Sequence, residues 1–273
     1  MSTPARLLEL AVTVAREAGE LLLPGAQRVE VAATKSSPTD VVTEMDRRSE
    51  ELIAQRLLAA RPGDVILGEE GGASGDGTVP AGAIRWVVDP LDGTVNYLYG
   101  LPDWAVSIAA EAEGEIVAGV VHAPRRGETY TATAGGGAYV AGGPGTAPVR
   151  LATRPGPPLA RALVGTGFGY LAARRKVQGE VAAALLPRVR DIRRSGSASV
   201  DLCSVAAGRL DAYYERGLNY WDYAAGALVA AEAGAVVAGL SGPPSGSMTI
   251  AAAQPLFVEL SAVLAALRPE RDE

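Results

Sequence analysis

The sequence has little cysteine, histidine or lysine. Its one cysteine, Cys203, permits no internal disulfide, and within the apolar stretch 200–207 it reads as a small core residue rather than a nucleophile. Its one histidine, His122, leaves no Cys/His cluster, which argues against a zinc centre and against phosphohistidine or Ser-His-Asp chemistry. His122 closes the apolar run Gly119-Val120-Val121-His122-Ala123-Pro124 and reads as structural. Lysine occurs only at Lys35 and Lys176, so arginine supplies nearly all the positive charge, a compositional bias without functional content. Long hydrophobic runs are missing too. Arg6, Glu9, Arg16, Glu17 and Glu20 interrupt the first 23 residues, and Glu232 or Glu259 break later runs. The expectation is therefore neither a signal peptide nor a membrane span, but a cytoplasmic chain with a reduced cysteine and no membrane partner. A net charge of -6 and a pI near 5.1 leave no basic footprint, so no nucleic acid is expected as a partner.

What is present describes a globular protein. Of 273 residues 48% are hydrophobic, enough for a substantial core, and the 33 glycines and 18 prolines are scattered as turn punctuation. The expectation is a single domain over 1–273, made of two intimate halves of about 1–145 and 146–273, joined by the Pro/Gly-rich connection 142–158. Apolar spacing predicts helices from Thr3-Pro4 to Pro24-Gly25, from Thr43 to about Ala60, and over 171–186, 197–207, 221–233 and 255–267. Strands are predicted at 65–67 and 84–88, in an antiparallel meander over 104–140, and near 162–165, 210–215, 235–238 and 249–252. Segment 71–82 reads as a surface loop. The glycine groups at 135–137 and 142–145 lack the strand and helix context of a nucleotide loop and read as turns.

The informative segment is Trp86-Val87-Val88-Asp89-Pro90-Leu91-Asp92-Gly93-Thr94. An apolar strand runs into two acids three positions apart around a proline, which bends the chain so that Asp89, Asp92 and the Leu91 carbonyl can converge as hard oxygen ligands. A helical turn starting at Gly93-Thr94 would add free N–H groups for a phosphate oxygen. On local sequence alone the two acids could equally cap a turn. Glu69, just after the strand at 65–67, and Asp222, opening the helix at 221–233, repeat the pattern, although each alone reads as a solvated loop acid or a helix N-terminal charge. Arg193-Arg194 and Arg174-Arg175-Lys176 are short charge runs to which no site role is assigned.

Taken together, Gly68-Glu69-Glu70, the block from Asp89 through Gly93-Thr94-Val95-Asn96-Tyr97, and Trp221-Asp222-Tyr223-Ala224-Ala225-Gly226 resemble the signature blocks of the inositol monophosphatase family. Supporting matches are Lys35-Ser36-Ser37-Pro38-Thr39-Asp40-Val41-Val42-Thr43 with Asp46, and Gly196-Ser197-Ala198-Ser199-Val200-Asp201-Leu202-Cys203 through Asp211-Ala212-Tyr213-Tyr214-Glu215. The resemblance implies an α+β fold of the layered αβαβα sandwich type, a homodimer, and Mg²⁺-dependent hydrolysis of a small phosphate monoester, foremost inositol monophosphate, by direct attack of water. It implies two or three Mg²⁺ held by Glu69, Asp89, the Leu91 carbonyl, Asp92 and Asp222. Asp46 and Thr94 would order the attacking water with Glu69, Gly93 and Thr94 would contact phosphate, and Gly196, Ser197, Ala198 and Glu215 would face the alcohol. Histidinol phosphate, fructose 1,6-bisphosphate, NADP and 3'-phosphoadenosine phosphates are alternative substrates. A binding role in transcription is the alternative outside catalysis. Lithium sensitivity and a lid formed by 71–82 are further implications.

Overall fold

The computed structural model describes residues 3–26, 31–34, 41–73, 78–143 and 145–271. The block Lys35 to Asp40 and the middle of the 71–82 segment lie outside these residues. Helix α1 (Pro4–Gly25) starts with proline at its first position, where a missing N–H costs nothing, and buries Leu7, Ala11, Val14, Ala15, Ala18 and Leu22 along one stripe. An antiparallel pair, β1 (Val31–Thr34) and β2 (Val41–Thr43), leads into α2 (Glu44–Ala60). Thr43 and Asp46 close the start of α2 as a reciprocal capping box, each side chain serving the other's backbone N–H.

Eight strands then build the larger sheet: β3 (Val65–Gly68), β4 (Gly72–Ala73), β5 (Arg85–Asp92), β6 (Ala105–Ala112), β7 (Glu115–Ala123), β8 (Glu128–Thr133), β9 (Gly137–Ala141) and β10 (Val149–Arg150). The order is β10-β9-β8-β7-β6-β5-β3-β4, antiparallel except for the β3/β5 pair. The short helix α3 (Thr94–Leu98) follows β5 directly. Next come β11 (Leu163–Thr166), α4 (Ala172–Leu185), β12 (Asp191–Arg193), α5 (Ala198–Ala206), β13 (Ala212–Glu215), α6 (Tyr220–Glu232), β14 (Val236–Ala238), β15 (Thr249–Ala252) and α7 (Gln254–Leu267). Their strands form a second sheet in the order β12-β11-β13-β15-β14, in which β12, β11 and β13 are parallel.

Alternation along the strands decides the layers. Trp86, Val88, Ile108 and Val120 face α1 and α2, whereas Val87, Ala109 and Val121 face the other way, onto Val200, Cys203, Ala225 and Val229 of α5 and α6. The far side of α5 and α6 packs Leu202 and Ala230 against Tyr213 and Ala251 of the smaller sheet. The outer face of that sheet is covered by Val181 and Leu185 of α4 and Leu256, Leu260 and Leu264 of α7. The result is the layered αβαβα, α+β architecture.

The expected helices and the four-strand meander are present, and the differences concern short pieces. The 142–158 connection carries β10, which pairs Val149 with Val140. The segment at 71–82 begins as β4, paired antiparallel with β3. Strand β12 carries a single three-residue parallel pairing, too short and too polar to leave a periodicity. β5 also runs on through the Asp-Pro-Leu-Asp block, its ladder with β6 broken between Asp89 and Asp92 because Pro90 cannot donate.

Candidate active site

The two acids of β5 are held from behind. Pro90 offers its carbonyl to Ser49 Oγ of α2 at 2.9 Å, and Leu91 N donates to Asp89 Oδ1 at 3.0 Å, a local turn that fixes the aspartate. Gly93 takes φ +96° as the N-cap of α3, and a Cβ there would come within 2.8 Å of the Asp103 carbonyl, so no other residue fits this turn. Asn96 ties the turn to the second half of the chain: Nδ2 donates to the carbonyls of Asp103, at 2.5 Å, and Ser195, at 2.8 Å.

These constraints open a cavity of about 360 Å³ lined by Glu69, Asp89, Leu91, Asp92, Gly93 and Thr94 from the first half, and by Gly196, Ala198, Glu215 and Asp222 from the second. Asp46 and Ser197 are buried behind this wall at 1% and 2% exposure. Asp46 Oδ1 accepts from Thr94 Oγ1 at 2.9 Å. Ser197 Oγ donates to Asp92 Oδ2 at 2.6 Å, joined by Ser199 Oγ at 2.5 Å and Ser199 N at 2.8 Å. Asp222 repeats the device of Asp46: with Asn219 it forms the capping box of α6, Asn219 N donating to Asp222 Oδ2 at 2.6 Å.

The electrostatics follow from crowding like charges in a poorly solvated place. Asp89 is pushed well above the usual carboxylate range, first by burial and then by Glu69, Asp92 and Asp222, and shares a side-chain hydrogen bond with Glu69. Asp222 is raised in the same way, by burial and then by Glu69 and Asp92. Burial also raises Asp92, against the lowering effect of the Ser197 and Ser199 bonds. It lifts Glu215 to about 7, opposed by Tyr213, whose hydroxyl donates to Glu215 Oε2 at 2.5 Å. Among the described residues no three carboxylate, imidazole or thiol groups are drawn together tightly enough to hold an ion as they stand.

The cavity has a second wall that sequence reasoning missed. Phe168 and Tyr170 line it, with Arg174 at the start of α4, Arg194 just after β12, and Asn219 and Trp221. Trp221 Nε1 is buried without a protein acceptor. The available signal was the pair of arginine runs, which look like ordinary solvated faces until α4 and β12 are placed. His122 is elsewhere, its Nδ1 3.0 Å from Thr129 Oγ1.

The model of the inositol monophosphatase family matches residues 3–272. An inositol-1-monophosphatase SuhB of Mycobacterium tuberculosis is 47% identical over 277 residues, covering 96% of this chain and 94% of its own. A protein of Pseudomonas aeruginosa named Nus factor SuhB is 41% identical over 251 residues, covering 86% of each. The solved structure of Mycobacterium tuberculosis SuhB superposes with a TM-score of 0.83 at 43% identity, covering 98% of this chain and 99% of that one. With family blocks in order along the whole chain and the layered fold beneath them, the protein belongs to the inositol monophosphatase family and is a phosphoric monoester hydrolase.

Proposed function

We propose that the chain is a Mg²⁺-dependent phosphomonoesterase acting on an inositol monophosphate, with the cavity at the end of β5 as its active site. The observation that carries this reading is the gathering of Glu69, Asp89, Asp92 and Asp222 in one cavity, where burial raises the three aspartates and the neighbouring carboxylates raise Asp89 and Asp222 further. Such a cluster is electrostatically costly unless cations offset it. The donors are all oxygen, which suits Mg²⁺. Asp92 takes its Ser197 and Ser199 bonds on Oδ2, and Asp222 takes its backbone bond on Oδ2, which leaves Asp222 Oδ1 for a ligand. Glu69, Asp89, Asp92, Asp222 and the Leu91 carbonyl would hold two or three ions. Bound Mg²⁺ supplies charge neutralisation to the phosphate and acidity to the attacking water.

The chain's own groups supply the rest. Thr94 Oγ1 accepts a proton from the attacking water and relays one to Asp46 Oδ1, with which it shares a hydrogen bond of 2.9 Å. The first turn of α3 presents backbone N–H groups without helical acceptors to the phosphate oxygens. Glu215, with Gly196 and Ala198, meets the hydroxyls of the alcohol, while Ser197 positions Asp92. Because the lining comes from both halves of the chain, the two act as one catalytic unit. The working form is proposed as a cytoplasmic homodimer, which sedimentation of the purified protein checks.

Phosphate release from inositol 1-phosphate should require Mg²⁺ and vanish in EDTA. A panel including histidinol phosphate, fructose 1,6-bisphosphate, NADP and 3'-phosphoadenosine phosphate ranks the alternatives. Asp92→Asn and Asp222→Asn should each lower kcat at least about a hundredfold in folded protein. Near-normal turnover in either variant rejects the site. The Nus factor name of the Pseudomonas relative raises a transcription role, and recovery of RNA polymerase by the tagged protein, unaffected by Asp92→Asn, would support it as a separate activity.

A further inference from the structure

The parallel strands β12, β11 and β13 deliver Arg194, Gly167 and Glu215 to the candidate active site from their C-terminal ends. Their N-terminal ends carry something different. Arg190 precedes β12, Arg161 precedes β11, Arg209 precedes β13, and Arg154 comes from the connection after β10. Together they line a second cavity of about 440 Å³, which shares no lining residue with the first. The strands between the two are only three or four residues long, roughly 10–13 Å.

This concentration of positive charge stands out in a chain of net charge -6. The one acid in the cavity wall, Asp211, accepts from Leu163 N at 2.8 Å on Oδ2, and its single charge is outnumbered by the four arginines. Arg209 is neutralised by Glu128. The other three make no ion pair with any described residue, and Arg190 gives only its Nε to the Arg161 carbonyl, at 2.9 Å. Arg154, Arg161 and Arg190 are exposed and without an ion-pair partner, and each guanidinium fork can bind a phosphate oxygen pair. Pro155, Pro157 and Leu163 supply an apolar wall between them. The volume is that of a small-molecule pocket.

We propose that this cavity is a second binding site, taking a small phosphorylated molecule with two or more anionic groups. The test uses the full-length protein in EDTA, so that the carboxylate cavity repels anions, with inorganic tripolyphosphate and ATP as probes in titration calorimetry. Saturable one-to-one binding that weakens with salt is expected for both. Tighter binding of ATP assigns a role to the proline and leucine wall, and equal affinities assign the site to the phosphate chain alone; both support the proposal. The combined variant Arg154→Gln, Arg161→Gln, Arg190→Gln should bind about tenfold more weakly or worse, with thermal midpoint and phosphatase kcat unchanged. Should that variant fail to fold, Arg154→Gln alone, which removes no hydrogen bond, should still weaken binding about threefold. Absence of saturable binding, undiminished binding in these variants, or competition by inositol 1-phosphate would overturn it.

Discussion

At the scale of single residues, Glu50 shows how a site acid is placed by a residue with no chemistry of its own. It lies on the buried side of α2, 9% exposed, and its carboxylate accepts from Glu70 N at 2.9 Å and Gly71 N at 2.5 Å. Gly68 allows that approach, since a Cβ there would come within 2.5 Å of Glu50 Oε2. The turn bearing Glu69 is thus pinned to α2 on one side and to β3 on the other. Glu50→Ala leaves two backbone donors without their acceptor and should destabilise the fold by about 1–3 kcal/mol. On the proposed function, it should also raise the Mg²⁺ concentration for half-maximal activity about tenfold, as loss of a supporting partner does in metal sites. Glu50→Gln, which keeps one acceptor oxygen, should recover part of both losses. An unchanged Mg²⁺ titration in Glu50→Ala would show that the turn holds itself.

At the scale of elements, the crossing of α1 over β7 explains the lone histidine. Gly19 on α1 packs against the His122 ring so closely that a Cβ would come within 2.6 Å of Cδ2. Burial under α1, helped by the nearby Arg16 charge, lowers His122 to about 4 from an ordinary 6.5. The folded state therefore holds the ring neutral where the unfolded chain would protonate it. The stabilisation is complete above pH 6.5 and is lost as pH falls through about 4, on the order of 3 kcal/mol in all. His122→Phe should flatten this part of the acid limb in urea unfolding midpoints measured from pH 7 to 4, with kcat near neutral pH unchanged. An acid limb as steep as in the unaltered protein would mean that other groups carry it.

At the scale of the whole molecule, the five layers rigidly join segments that carry mutually repelling charge. The end of β3, the bend of β5 and the first turn of α6 deliver Glu69, Asp89, Asp92 and Asp222 to one cavity, and the apolar layers on both sides of each sheet keep them there. Burial and neighbouring carboxylates raise Asp89 and Asp222, so this arrangement works against stability. On the proposed function, a cation that binds only the folded state raises stability by mass action. Mg²⁺ should therefore increase the thermal midpoint of the unaltered protein by several degrees relative to EDTA, about 2–4 °C per kcal/mol for a chain of this size. The gain should shrink in Asp222→Asn, even though that variant in EDTA should melt higher for want of one buried charge. A midpoint indifferent to Mg²⁺ would count against ligation by this cluster.

The sequence by itself determined the types of the longer elements and, through its resemblance to family blocks, the layered class and the family. Apolar spacing of three and four marks the stripe of α1, alternation marks the meander, and the Asp-Pro-Leu-Asp-Gly-Thr block marks its turn through local steric rules that act within a few residues. Tertiary structure decided what local rules cannot reach. Asp222 reads locally as a helix-start acid and Asp46 enters only through the resemblance; both cap their helices, but only packing sets Asp46 against Thr94 and Asp222 beside Glu69. Arg174 and Arg194 belong to short charge runs until α4 and β12 turn them to the cavity, and Arg154, Arg161, Arg190 and Arg209 are scattered until three parallel strands align their starts. Charges interact through space, so residues distant in sequence acquire a shared electrostatic meaning only when the chain has folded.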